Sequence, residues 1–324
     1  MQPRLLLTRR AALLGSLCAA AAHGTTRAFA QSGASNGRTP EDETHWARLG
    51  VSLEGTTALV TGSTDGLGRD VARQLGALGA TVIIHGRNAE RGEEVVRAIR
   101  RAGPGDAVFY RADFGSLADI AAFADHVQER HERLGLLINN AAAPAAGERR
   151  LTADGYELAF GVNYLSHFML THRLLPLLDA GAPARIVNVS SMGQAPIDFD
   201  DLMFERDFDA AEAYRRSKLA QIMFTIDLAA QLDPSRVTVT AVHPARSMNT
   251  TRVISGGFEP LTTVEEGAES VMQLAVSPEV DGVTGVYFDQ LSEATAHAQA
   301  YDADARRRLW AISAELTGVG AQPG

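Results

Sequence analysis

The chain has 324 residues, a formal charge of −9 and a single cysteine, Cys18. Without the four arginines of the first thirty residues (Arg4, Arg9, Arg10 and Arg27) the charge is −13 (−9 minus 4), a surface that repels phosphate and argues against nucleic acid or an anionic membrane as partner. Beyond Cys18 there is no disulfide, thiol nucleophile or cysteine-ligated metal to consider.

Residues 1–30 read as a twin-arginine signal peptide. A basic start ends in Thr8-Arg9-Arg10, an apolar run covers 11–22, and Ala28-Phe29-Ala30 supplies a small-x-small cleavage site. The apolar run is too short to cross a bilayer, so no stable membrane insertion is expected. Periplasmic or exported placement follows, with a chance basic tail on a cytoplasmic protein as the alternative. Residues 31–49 read as a tether, 50–318 as one domain and 319–324 as a tail. From 57 onward β-branched runs alternate with helical patterns. Strands are expected at 57–60, 81–84, 107–111, 136–138, 185–189, 237–242 and 286–288. Helices are expected from the glycine-rich turn to 79, then at 89–101, 117–133, within 151–178, and at 211–231. Apolar strands alternating with helices predict an α/β fold, a doubly wound parallel sheet covered on both faces.

Thr61-Gly62-Ser63-Thr64-Asp65-Gly66-Leu67-Gly68 joins the first strand to its helix. Gly62 permits the tight turn, while Gly66 and Gly68 let backbone amides approach a pyrophosphate at a helix N-terminus. The second strand ends in His85-Gly86-Arg87-Asn88, without the carboxylate that would accept from the ribose 2′-hydroxyl of NAD. Arg87 would instead clamp a 2′-phosphate, so NADP(H) is favoured over NAD(H).

Tyr214 and Lys218 lie one helical turn apart and share a face. A free tyrosine titrates near 10, and a neighbouring ammonium favours its phenolate, making the pair a candidate proton donor and acceptor. Lys218 is the only lysine among thirty basic residues. Arginine cannot replace a compact ammonium between a phenol and a ribose, and chance would put the surviving lysine here about one time in thirty.

These residues resemble the short-chain dehydrogenase/reductase family over nearly the whole span 53–316. The glycine-rich turn, Asn139-Asn140-Ala141, Ser190-Ser191 and Tyr214-x-x-x-Lys218 follow in family order and spacing. The stretches 151–156 and 163–168, and the long interval between Ser191 and Tyr214, are similar to the retinol-dehydrogenase-like branch. The resemblance implies a Rossmann-type fold and an oxidoreductase moving hydride between the nicotinamide and an alcohol or carbonyl substrate, by branch a lipophilic one. It implies Tyr214 as general acid/base, Lys218 on the nicotinamide ribose, Ser191 rather than Ser190 on the substrate oxygen, and Asn163 in a water relay. Gly62, Thr64, Asp65, Gly66, Leu67, Gly68, Arg87, Asp113, Asn140, Ala141 and Pro244 would line the cofactor together with Tyr214 and Lys218. No metal is implied, and a homo-oligomer is possible.

The chain departs from the family at Ala142 and Ala245, where glycine is usual. These departures motivate an alternative, a non-catalytic NADP-binding sensor or scaffold. Residues 246–258 would form a flap whose Thr250 or Thr251 meets the nicotinamide. His243, the pair His167 and His172, and the acidic run 198–209 are not read as catalytic or metal sites. Phe199, Leu202, Met203 and Phe204 in that run either face substrate or pack it down.

Overall fold

The computed structural model describes residues 45–143, 147–250, 253–254 and 259–319. The signal segment, residues 31–44 of the tether, Thr251 and residues 320–324 of the tail lie outside the described residues.

One sheet contains β1 (Thr57–Val60), β2 (Thr81–Gly86), β3 (Asp106–Arg111), β4 (Leu136–Asn139), β5 (Ala184–Val189), β6 (Val237–His243), β7 (Val286–Asp289) and β8 (Ser292–Glu293). Their order is β3-β2-β1-β4-β5-β6-β7-β8, parallel throughout except for the final β7–β8 pair. Alternate side chains point to opposite faces, and both faces are apolar. Leu59, Ile83, Leu137, Ile186 and Val239 enter one core, whereas Ala58, Val60, Val82, Ile84, Ile138 and Val187 enter the other.

Among the described residues, these faces are covered by the α-helices α1 (His45–Arg48), α2 (Gly66–Ala77), α3 (Ala89–Ala102), α4 (Leu117–Arg130), α5 (Ser166–Ala180), α6 (Ala210–Ala229), α7 (Val264–Val276) and α8 (Ala303–Thr317). Residues of α2, α3 and α7 fill the second core, and those of α4, α5, α6 and α8 fill the first. Polar caps fix their starts. Asn88, Ser116 and Asp209 each accept from an amide three residues on, satisfying donors the helix leaves orphaned. Thr263 and Glu266 form a reciprocal capping box on α7.

Five segments differ from the sequence expectation. Residues 151–157 are not helical. Leu151 bridges to Glu157 around Gly155, whose φ is +86°, and the chain enters α5 through a π-helical turn, Phe160–Leu165. The Glu157 carboxylate accepts from the amides of Ala159 and Phe160 and so caps that turn. Helix α4 stops at Arg130 rather than 133. Helices α7 and α8 were not expected. Residues 45–48, read as tether, form α1, and its Trp46 is buried against the second core.

Candidate active site

Strand order reverses at β1, so the loops leaving β1 and β4 diverge at their carboxyl ends and open a crevice between them. The turn 61–68 lies there. Gly62 has φ +64°, and a Cβ on it would lie 2.9 Å from Ala141 Cα. A Cβ on Gly68 would lie 2.4 Å from Asn140 Nδ2 and 2.5 Å from the Gly62 carbonyl. Glycine is therefore required at both positions for the loop to seat against Asn140 and Ala141. Asp65 caps α2 by accepting from the Gly66 amide at 2.8 Å, and Arg91 stands 3.7 Å from its carboxylate. Leu67 is buried, so it offers the crevice only its backbone. These glycine-lined amides at a helix N-terminus fit the pyrophosphate of a dinucleotide.

The rim of the crevice comes from β2 and β3. Thr64 packs over Gly86, where a Cβ would lie 2.6 Å from Thr64 Cγ2. Arg87 is exposed beyond it, and its carbonyl accepts from Arg111 Nε at 3.1 Å. Asp113 accepts from the Gly115 amide at 3.0 Å. His85 holds the loop from below. Its Nδ1 accepts from the Gly62 amide at 3.0 Å, and its own amide donates to Ser63 Oγ. Burial pushes its pKa down to about 4, which keeps the ring neutral.

The proton-transfer candidates stand on α6. Tyr214 is half-buried, and Lys218, 2% exposed, places Nζ 5.6 Å from the Tyr214 ring centroid. Lys218 Nζ donates to the Val189 carbonyl at 2.7 Å and to Gln221 Oε1 at 2.8 Å. The Ser190 hydroxyl donates to the Lys218 carbonyl at 2.7 Å, which commits it to anchoring α6. Ser191 is half-buried, and its Oγ accepts only a neighbouring amide, that of Gly193. The Asn163 side chain clamps two parts of the site, accepting from the Ala143 amide at 2.7 Å and donating to Ser217 Oγ at 2.8 Å. The Pro244 carbonyl accepts from the Ser270 hydroxyl at 2.7 Å, pinning the loop after β6 to α7.

Three contributors escaped sequence reasoning: His85, His167 and Gln221. His167 was considered only as a metal ligand, yet its Nδ1 lies 2.9 Å from the Asn163 carbonyl and its Nε2 3.1 Å from Thr61 Oγ1. Thr61 Oγ1 also accepts from the Asn140 and Ala141 amides, both at 2.9 Å. With both lone pairs occupied, Thr61 donates its proton to Nε2, so His167 is neutral with its hydrogen on Nδ1. Burial pushes its pKa down to about 3. Of these three, only the i,i+3 spacing of Gln221 from Lys218 was a signal legible in the sequence.

Thr250 rests on the glycine-rich loop, its Cγ2 3.3 Å from a Cβ placed on Gly66. The acidic insertion is packed down. Phe204 is buried against Ala159 and Ala213 with the Arg216 guanidinium 4.1 Å over its ring, and Arg149 donates twice to the Met203 carbonyl. Among the described residues no cluster of three metal-ligating side chains occurs, and no helix is long and apolar enough to cross a membrane.

Residues 56–253 match the family profile described as short chain dehydrogenase. Human retinol dehydrogenase 14 is 37% identical over 295 residues, covering 82% of this chain and 88% of that protein. Human retinol dehydrogenase 13 is 38% identical over 289 residues, covering 84% and 87%. Among solved structures, an uncharacterized protein from Mycobacterium paratuberculosis superposes with a TM-score of 0.69 at 30% identity, covering 83% of this chain and 95% of that one. The RhlG/NADP active-site complex of Pseudomonas aeruginosa gives 0.61 at 28% identity, covering 74% and 96%.

Proposed function

Because the chain belongs to the short-chain dehydrogenase family and is an oxidoreductase acting on CH–OH or C=O groups, we propose that it uses NADP(H) with Tyr214 as general acid/base. The observation that carries the reading is the placement of Tyr214 and Lys218 one turn apart on α6, with Lys218 Nζ 5.6 Å from the centre of the Tyr214 ring.

When bound, the nicotinamide supplies or accepts the hydride. The chain's own residues do the rest. Ser191 Oγ donates to the substrate oxygen and orients it. Tyr214 passes its phenolic proton to that oxygen in reduction and recovers it in oxidation. The Lys218 ammonium, held between β5 and α6, stands beside the Tyr214 ring and steadies the ribose. Asn163 ties Ser217, next to Lys218, to the loop after β4.

The preference for NADP rests on Arg87 at the end of β2, on the absence of a carboxylate there, and on the NADP held by the RhlG relative. A lipophilic substrate is supported by the names of the retinol dehydrogenase relatives and by Met192, 48% exposed beside Ser191.

Replacing Tyr214 with Phe should lower turnover by about 10²–10⁴-fold while NADPH affinity, followed by quenching of intrinsic fluorescence, changes little. Undiminished turnover in that variant would sink the assignment of the acid/base. A wild-type protein that binds NADPH yet turns over nothing across a broad alcohol and carbonyl panel would favour the sensor reading.

A further inference from the structure

Burying an ammonium costs several kcal/mol unless its protons find acceptors. Lys218 is 2% exposed, and its Nζ donates to Gln221 Oε1 and to the Val189 carbonyl of β5. Gln221 is itself 1% exposed and lies three residues on along α6. Only a carbonyl oxygen can face an ammonium, so the orientation of the Gln221 amide is determined, and its nitrogen is turned toward His167. There Nε2 comes within 3.4 Å of His167 Nδ1. His167 is fixed on both edges, by the Asn163 carbonyl and the Thr61 hydroxyl. Its ring forms a rigid, uncharged stop behind Gln221. A charged ring there would repel Lys218, and neutrality removes that repulsion.

We propose that Gln221 is a positioning residue for the Tyr214–Lys218 pair, holding the Lys218 ammonium in place beside the Tyr214 ring. The proposal rests on Tyr214 being the acid/base. Gln221 Oε1 gives the ammonium a second acceptor from its own helix, with the neutral His167 ring packed behind the amide. The titratable groups facing Lys218 are Tyr214 on the same helix and His167 on α5, with His85 of β2 behind His167. His85 and His167 stay neutral above about pH 5.

The test is a spectroscopic titration of the protein without nucleotide. Phenolate absorbance near 295 nm is recorded against pH, and the same curve for Tyr214→Phe is subtracted to isolate Tyr214 from the other five tyrosines. In Gln221→Met, which keeps the shape and removes the acceptor, the Tyr214 transition should move up by about one pH unit. The basic limb of kcat/KM should move with it, while substrate KM stays within about twofold. Gln221→Asn keeps the cavity polar but ends one methylene short of Nζ, and gives the same reading if the Met variant does not fold. A folded variant whose 295 nm transition and pH profile coincide with wild type overturns the proposal. The two failures are distinguishable: if Tyr214→Phe keeps full turnover, the acid/base assignment falls. If that variant is inactive while Gln221→Met titrates like wild type, only the role of Gln221 falls.

Discussion

Mild acid should destabilise this protein well above the range where carboxylates protonate. His85 and His167 are buried with pKa values of about 4 and about 3, against 6.5 in an unfolded chain. Below 6.5 the unfolded chain takes up protons that the native rings refuse. The contribution is therefore intact above pH 6.5 and declines as the pH falls toward the folded values. Between pH 7.5 and 5 each histidine loses about 1.5 units at 1.36 kcal/mol per unit, roughly 2 kcal/mol, and the two together roughly 4 kcal/mol. Set against a typical stability of about 5–15 kcal/mol, that is a large fraction. Burial also lowers His172 and His243, which act in the same direction. Glu157 is raised by burial and acts with the opposite sign, so the diagnostic quantity is the slope rather than the total. Urea unfolding would be followed by tryptophan fluorescence at pH 7.5, 6.5, 5.5 and 5 for wild type, His85→Asn and His167→Phe. Each variant will lose stability at every pH, yet each should also flatten the slope by up to about 1.4 kcal/mol per pH unit. A wild-type stability that is flat from pH 7.5 to 5, or variants with an undiminished slope, would refute the reasoning.

Other outcomes follow from the same geometry. Gly68→Ala forces a Cβ to within 2.5 Å of the Gly62 carbonyl, so nucleotide affinity should fall at least about tenfold; an unchanged Kd would show that the loop yields. Arg87→Ala should weaken NADPH binding by about 10–100-fold and leave NADH nearly untouched, the loss of one charge-assisted contact. Equal effects on both nucleotides would remove Arg87 from the 2′-phosphate. We propose that residues 1–30 direct twin-arginine export. A reporter joined after residue 40 should reach the periplasm, should fail to do so when Arg9 and Arg10 are replaced by Lys, and would count against export if it stayed inside in both cases.

The sheet was legible because its strands are short apolar runs punctuated by turns, and every strand from β1 to β7 lies within two residues of its expected place. The misses have specific causes. In 151–157 the apolar spacing resembles a helix, but Gly155 at φ +86° and the Leu151–Glu157 bridge fold it back. Helix α7 carried a readable signal, Thr263 followed by Glu266, whereas α8 has five charged residues in its fifteen and was obscured by them. Trp46 was lost in a polar context; only packing against the second core reveals it. At the site, Tyr214 and Lys218 were readable because both lie on one helix. The histidines were not, since His85 meets Gly62 from across β2 and His167 meets Thr61 across more than a hundred residues. Contacts of that kind depend on register and topology, which no local pattern encodes.

With one lysine in the whole sequence, sealed at 2% exposure inside α6, the folded molecule presents solvent with no side-chain primary amine. Acylating cross-linkers, reducing sugars and aldehydes will find only the chain's amino terminus to react with. A lysine-specific protease has a single bond to cut. Acylation at Lys218, or cleavage after it, therefore counts the molecules in which α6 has come away from β5. The native protein carries its own single-site reporter of opening, and anything that seals the crevice should slow that reporter in proportion to its occupancy.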